Sequence, residues 1–346
     1  MKITRIGLDL AKRVFVVHGV EERERACLRK KLRRDEVLSF FAKLSPCVVA
    51  MEACSSSHYW ARELQKLGHT ARLIAPHFIK PYRRGQKNDE RDAEAICEAA
   101  GRTNMRFVPV KSVEQQAVLM LHGTRALLVA NRTALVNQIR GFLGECGIVV
   151  KQGVAHLCRR LPEILEDGEN GLPGLAREAL VHSYARLREL DEQVGHYDRR
   201  IAQLARESEP AQRLVALAGV GPVTATAVVA NIGEGKLFKN GRQFAAWLGL
   251  VPKQYSSGGK TRLGRITRAG NQYLRTLMIH GARAALRHAP QRSDPLSRWA
   301  AALAERRGKN KAAVALAAKN ARIIWAMLTR GEHYQARAAR ANGFQR

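Results

Sequence analysis

Apolar and polar positions change places in short blocks along the first third of the chain. Residues 3–10 (ITRIGLDL), 13–20 (RVFVVHGV) and about 25–32 carry strand-like patterning, with connections short enough for hairpins. A helical pattern at 35–44 comes next, then a buried strand at 47–51 (CVVAM), a helix at 57–67 and a strand at 69–75 (HTARLIA). A further helix begins near Asp89.

This succession of β-β-β-α-β-α-β and then a helix predicts a mixed sheet flanked by helices, of the RNase H-like kind. Beyond it the pattern turns helical. Residues 111–145 predict one long helix in which Leu121, Leu128, Leu135 and Phe142 recur every seven residues. A second, over 180–205, spaces Leu187, Leu190, Val194, Tyr197, Ile201 and Leu204 as a heptad seam. Such seams pair helices within one chain or between two chains, and the spacing does not choose. The Gly-rich, acidic segment 161–174 reads as the connection between them.

From Ala211 a helix, a turn at 219–222 (GVGP) and a second helix to Ile232 form a helical hairpin. A glycine-rich basic loop spans 249–270, and Ala/Arg-rich helices follow at about 271–288, 295–306 and 310–330. The expected fold class is thus α/β plus all-α, in four stretches. They are a sheet domain at 1–110, a helical coiled-coil region at 111–208, a mainly helical domain at 209–330 and a basic tail at 331–346.

Charge changes this picture most. The 346 residues hold 59 Lys+Arg against 30 Asp+Glu, a net charge of +29. Residues 1–100 carry +7, residues 101–200 carry +3 and residues 201–346 carry +19; after Gly235, 23 Lys/Arg meet only Asp294, Glu305 and Glu332. Charge serving solubility alone would not gather in one third of a chain, so a polyanionic partner, ordinarily nucleic acid, is implied. A hydrophobic content of 46% argues against a mainly disordered chain. The six cysteines (Cys27, Cys47, Cys54, Cys97, Cys146, Cys158) form no CxxC pair, which argues against a zinc site or disulfide framework and for a reducing cytoplasm. The N-terminus carries Asp9 where a signal peptide needs an unbroken apolar run. The uncharged stretch 214–233 is interrupted by Gly219, Gly221, Pro222 and Asn231, so no membrane span is expected there.

Four acids suit metal chemistry. Asp9 lies near the end of the first strand and Glu52 directly follows CVVAM, so neighbouring strands would bring the two together. Asp89 and Asp92, three apart at a helix start, share a face. Four carboxylates on one patch repel unless cations bridge them, and Mg²⁺ favours such oxygens, two ions serving phosphodiester chemistry. Helix capping and dipole pairing account equally well for Asp89 and Asp92 taken alone. A carboxylate within an apolar central strand, as at Asp9, costs several kcal/mol unless compensated.

The basic loop holds Ser256 and Ser257 among glycines and a comb of Lys253, Lys260, Arg262, Arg265, Arg268 and Arg275. A serine held there could attack a phosphate. From chemistry alone a phosphate-gripping loop is the better reading, because no local His/Asp pair marks a general base. The GVGP turn resembles a helix-hairpin-helix element, in which Gly219 and Gly221 let backbone N–H groups approach a phosphate; an ordinary tight turn is its rival.

Taken in order, GLDLAK around Asp9, MEAC around Glu52, KNDERDAEAI around Asp89 and Asp92, GVGPVTA, and the block from Gly249 to Ala284 closely resemble the DEDD transposases of the IS one-ten family. The downstream block is most similar to the IS eleven-eleven branch, and related pilin-gene invertases share both domains. The resemblance runs from about residue 3 to 330. It implies a RuvC-like N-terminal domain whose metal-binding acidic tetrad is Asp9, Glu52, Asp89 and Asp92, with Mg²⁺ as cofactor. It also implies a C-terminal transposase domain whose nucleophile is Ser257 rather than Ser256. Family members recombine DNA through a phosphoserine intermediate, with the serine supplied by another protomer. They act as dimers that assemble into tetramers, the heptad helices forming the dimerising coiled coil. A structured bridge RNA pairs with target and donor DNA. The expected partners are therefore element-end and target DNA, a guide RNA and further copies of the chain, in the nucleoid-associated cytoplasm of a bacterium. A site-specific invertase of the same family, a metal-dependent junction nuclease that uses water, and a catalytically silent nucleic-acid-binding protein are the competing readings.

Overall fold

Three strands, β1 (Ile3–Asp9), β2 (Val14–Glu21) and β3 (Ala26–Arg33), follow one another as antiparallel hairpins in the computed structural model. The structure describes residues 2–83, 85–86 and 88–335. Next come α1 (Val37–Ala42), β4 (Val48–Glu52), α2 (Ser57–Lys66), β5 (Thr70–Ile74), α3 (Pro76–Ile79), α4 (Asp89–Ala100) and β6 (Phe107–Val108). The strands form one sheet in the order β3-β2-β1-β4-β5-β6, with β1, β4 and β5 parallel and β6 antiparallel to β5. This is the mixed, RNase H-like arrangement that the element order predicts, with α3 and β6 added. The chain divides into two units, residues 1–114 and 115–346.

The period of two along each strand decides which side chains meet which layer. Ile6 and Leu8 of β1 and Val49 and Met51 of β4 join Phe15, Phe41, Trp60 and Leu64 in the core under α1 and α2. Their alternates, Gly7 and Ala50, face α4. A Cβ placed on Gly7 would stand 2.1 Å from the carbonyl oxygen of Ala93, so only glycine lets α4 lie this close to the central strand.

In the second unit α5 (Val113–Glu145), α6 (Val154–Glu166) and α7 (Gly174–Glu207) share a core. Arg125 pairs with Asp198 and Arg132 with Asp191, which fixes α5 and α7 as antiparallel neighbours within the chain. The α7 seam is buried at Leu187, Leu190, Val194 and Ile201, as its spacing requires. The α5 seam differs from expectation. Its fully buried positions are His122, Val136, Ile139 and Leu143, beside the leucine row, and Phe142 is 44% exposed. Tertiary partners select the row one residue on: His122 bonds Thr226 and Tyr273, while Val136, Ile139 and Leu143 join the core shared with α6 and α7. Residues 161–166, read above as connection, are helical and belong to α6 despite Pro162. Burial of Leu157, Leu161 and Ile164 offsets the roughly 3 kcal/mol that an interior proline costs.

The rest of this unit is α8 (Glu209–Val215), α9 (Pro222–Ile232), α10 (Gly241–Trp247), β7 (Pro252–Gln254), β8 (Leu263–Ile266), α11 (Gln272–His288), α12 (Pro295–Arg307) and α13 (Lys309–Arg330). Helix α10 was not anticipated, and the basic loop is in fact an antiparallel hairpin, β7–β8. Helix α13 is long and apolar enough to cross a membrane, yet Leu316, Ile324, Met327 and Leu328 bury its apolar face in the helical core. Of the predicted basic tail, residues 336–346 lie outside the described residues.

A buried polar network joins α5 to α9 and α11. The Thr226 hydroxyl donates to the Pro222 carbonyl (2.8 Å), so it accepts from His122 Nε2–H (3.0 Å), and the Tyr273 hydroxyl donates to His122 Nδ1 (3.0 Å). The ring is therefore neutral, and burial lowers its pKa from 6.5 to about 4. The unfolded chain takes up a proton below pH 6.5 that the fold refuses until about pH 4. The stability due to neutral His122 is thus complete above pH 6.5 and is lost as pH falls toward 4, by on the order of 3 kcal/mol. Thermal melting from pH 7.5 to 4 is expected to show this decline, less steeply in His122→Gln; an equal slope in both proteins would contradict the assignment.

Candidate active site

The carboxyl ends of the two central parallel strands carry the first two acids. The β1–β4 register pairs Leu8 with Met51, and the next residues are Asp9 and Glu52. Both have the parity of Gly7 and Ala50, so both lie on the α4 side of the sheet. The Cys54 thiol senses the pair: burial first, then the charges of Glu52 and of Asp9, raise its pKa above the ordinary range. The turn after β4 is held by Ser57, whose hydroxyl donates to the Cys54 carbonyl (2.8 Å), and Ser56 is left-handed at φ 67°.

Helix α4 delivers the other two acids to the same end of the sheet. Arg5 Nε donates to the Cys97 carbonyl (2.8 Å), and Gly7 abuts Ala93. Two residues forward along β1 thus correspond to four residues back along α4, which brings Asp9 level with the first turn of the helix. Asn88, not Asp89, caps that turn, accepting from Glu90 N–H at 3.0 Å. Asp89 is exposed, while Asp92 pairs with Arg83 at 3.3 Å. The four acids share one end of the sheet without closing on one point: among the described residues no group of three or more His, Cys, Asp or Glu is gathered tightly enough to hold a metal ion. Sequence reasoning missed Arg83 and the Ser57 brace, since neither has a spacing signature.

In the second unit Ser257 begins the two-residue turn of the β7–β8 hairpin. Its carbonyl accepts from Lys260 N–H (3.1 Å), with Gly258 at φ 54° and Gly259 at φ 75°. Both positive values suit a type I′ turn, which glycines adopt without strain. Ser257 bridges Lys260, and Tyr255 N–H donates to the Arg262 carbonyl (2.8 Å). Directly opposed residues share a face, so Tyr255, Ser257, Lys260 and Arg262 form one side of the hairpin. Ser256 lies on the other side and accepts from Gln254 Nε2 (2.8 Å). Every residue from Pro252 to Arg265 is exposed. None of Lys253, Lys260, Arg262, Arg265 and Arg268 forms an ion pair among the described residues.

Arg275 braces the hairpin base by donating to the carbonyls of Leu248 (3.2 Å) and Ala269 (2.8 Å). Gly219 backs onto Gly281 of α11, where a Cβ would meet carbonyl oxygen at 2.7 Å; Gly221 caps α9 and faces open space.

Comparison with known proteins covers both units. Residues 6–148 match the profile of DEDD transposases of the IS110 type, described as a transposase, and residues 211–297 match that of the transposase IS116/IS110/IS902 family. A probable family 20 transposase of Pseudomonas aeruginosa is 52% identical over 97% of this chain and 99% of its own length. The transposase for insertion sequence element IS1111A of Coxiella burnetii is 44% identical (95% and 91%), and that for IS1328 of Yersinia enterocolitica is 38% identical (95% and 98%).

Proposed function

The chain belongs to the IS110 family of insertion-sequence transposases, and from that premise we propose that it exchanges DNA strands through a covalent phosphoserine at Ser257. One observation carries this reading. The chain holds carboxylates at the ends of two central strands in one unit and, in the other, a serine at the tip of an exposed basic hairpin.

In the first step the Ser257 hydroxyl attacks a backbone phosphorus. The Oγ–P bond forms, the serine proton is lost to a base, and the P–O bond to one deoxyribose breaks, releasing that strand end as a hydroxyl. A hydroxyl of the second DNA then attacks the same phosphorus, restoring the serine and joining the strands. No water is consumed, so the bond is conserved throughout. Lys260 and Arg262, on the serine's face, would stabilise charge developing on the phosphate oxygens.

Asp9 and Glu52, with Asp89 and Asp92 one layer above, offer the hard oxygen donors that suit Mg²⁺. A bound pair of such ions would polarise the phosphate and lower the pKa of the attacking hydroxyl. Residues 1–110 are then the RuvC-like catalytic domain and 209–330 the transposase domain. The helices between them would join copies into dimers and tetramers; Val113, Met120 and Leu127, exposed at heptad spacing on α5, support that role. The open Gly221 turn before α9 would act as a helix-hairpin-helix phosphate contact. The near absence of acids among the C-terminal cations fits a protein that grips backbones while a bridge RNA chooses sequence by pairing. The six free cysteines fit a reducing bacterial cytoplasm.

The test is strand exchange in vitro with protein, element-end and target duplexes, Mg²⁺ and the transcript of the DNA flanking the gene. Joined product should form only with the matching transcript. Equal yield without RNA would remove the guide from the account, and joining of DNA ends within one inverted segment would favour an invertase.

A further inference from the structure

A second concentration of positive charge lies away from the serine hairpin. Arg283 and Arg287 are one turn apart on α11, and Arg306, Arg307, Lys309 and Lys311 surround the turn between α12 and α13. Arg283 donates to Asn310 Oδ1 (3.2 Å), which ties that turn, with its four flanking cations, to the α11 face that carries Arg283 and Arg287. All six are exposed, and among the described residues none is in an ion pair. Glu305 is the only acid within the turn.

Folding alone does not account for this arrangement. Arg306 and Arg307 suit the C-terminal end of α12, but Lys309 and Lys311 occupy the first turn of α13, which has no acidic residue. Cations there oppose the helix dipole. An anion bound there would offset that cost. From Gln272, at the hairpin base, to Arg283 is 11 residues of α11, or about 17 Å, close to the length of five base pairs of duplex.

We propose that this six-cation patch is a second nucleic-acid grip, holding a phosphodiester backbone about half a helical turn from the serine hairpin. The inference extends the reading of the chain as a DNA recombinase, but it concerns binding and not chemistry. The ligand is recognised as a row of phosphates, so DNA and RNA duplexes are both candidates and are distinguished by the test.

Neutralising the pair least suited to its helix gives a variant whose folding is not at risk. Full-length Lys309→Gln/Lys311→Gln should melt at the parent's temperature or above. Its binding should be followed by fluorescence anisotropy with a duplex DNA and with an RNA hairpin, at several salt concentrations. For the backbone that occupies the patch, affinity should fall about 30-fold at 0.15 M salt, and the slope of log Kd against log salt should fall by about 1.8, as for two lost phosphate contacts. Loss on one probe alone identifies that nucleic acid as the occupant, and loss on both identifies duplex backbone in general. Lys66→Gln, a lysine paired with Glu63 in the other unit, should change neither. Unchanged affinity and slope on both probes would overturn the proposal. Phosphoserine chemistry is separately scored by adduct formation at saturating DNA, so either idea can fail without the other.

Discussion

Ser257→Ala should bind DNA as the parent does and exchange no strands. The hydroxyl is the atom that would become bonded to phosphorus, and no neighbour replaces it. Ser256, though adjacent, points to the opposite face of the hairpin and bonds Gln254. The expected loss of strand exchange is on the order of 10³-fold or more, as for removal of other covalent nucleophiles. Ser256→Ala should retain activity within a few-fold. Gel separation of joined from parental DNA measures both. Equal losses in the two variants would contradict the face assignment made from the hairpin register.

The second large effect is expected at Asp9. Asp9→Asn keeps the shape of the side chain at the end of β1 and removes the charge that, with Glu52, would hold a cation. Strand cleavage should fall on the order of 10³-fold, the scale of several kcal/mol of transition-state stabilisation by a metal. Folding should be retained, because asparagine is isosteric with aspartate and keeps a hydrogen-bonding oxygen at the end of β1. Cleavage assays and thermal melting test the two halves of this prediction. A variant that melts lower and still cleaves would show Asp9 to be a structural acid.

The first unit was legible because its signals are local. Short strands with clear period and turn residues between them place Asp9 and Glu52 at strand ends, and the β1–β4 register then puts them side by side. The engagement of Asp92 by Arg83 was not legible, since it depends on how one side chain turns across a loop. The basic loop was misread for a related reason. All of Pro252–Arg265 is exposed, so no buried face imposes an alternating pattern, and only the Ser-Gly-Gly-Lys turn betrays a hairpin. In α5 the apolar row was visible but its neighbour is the buried one, because packing against α6 and α7 decides the face. The glycines and acids of 161–174 suggested a connection, where as far as Glu166 buried apolar side chains sustain a helix. The cations of the last third were plain from composition. Their division between the serine hairpin and the α11–α13 patch needed the Arg283–Asn310 contact.

The most direct test of the account is to trap the reaction. Protein, matching RNA and element-end DNA are incubated with Mg²⁺, denatured, digested with protease and analysed by mass spectrometry for a nucleotide-bearing peptide. A phosphodiester at Ser257, absent with chelator and absent in Asp9→Asn, is the predicted result. Cleaved DNA with free ends, no modified peptide, and the same cleavage in Ser257→Ala would contradict it and assign the chemistry to water.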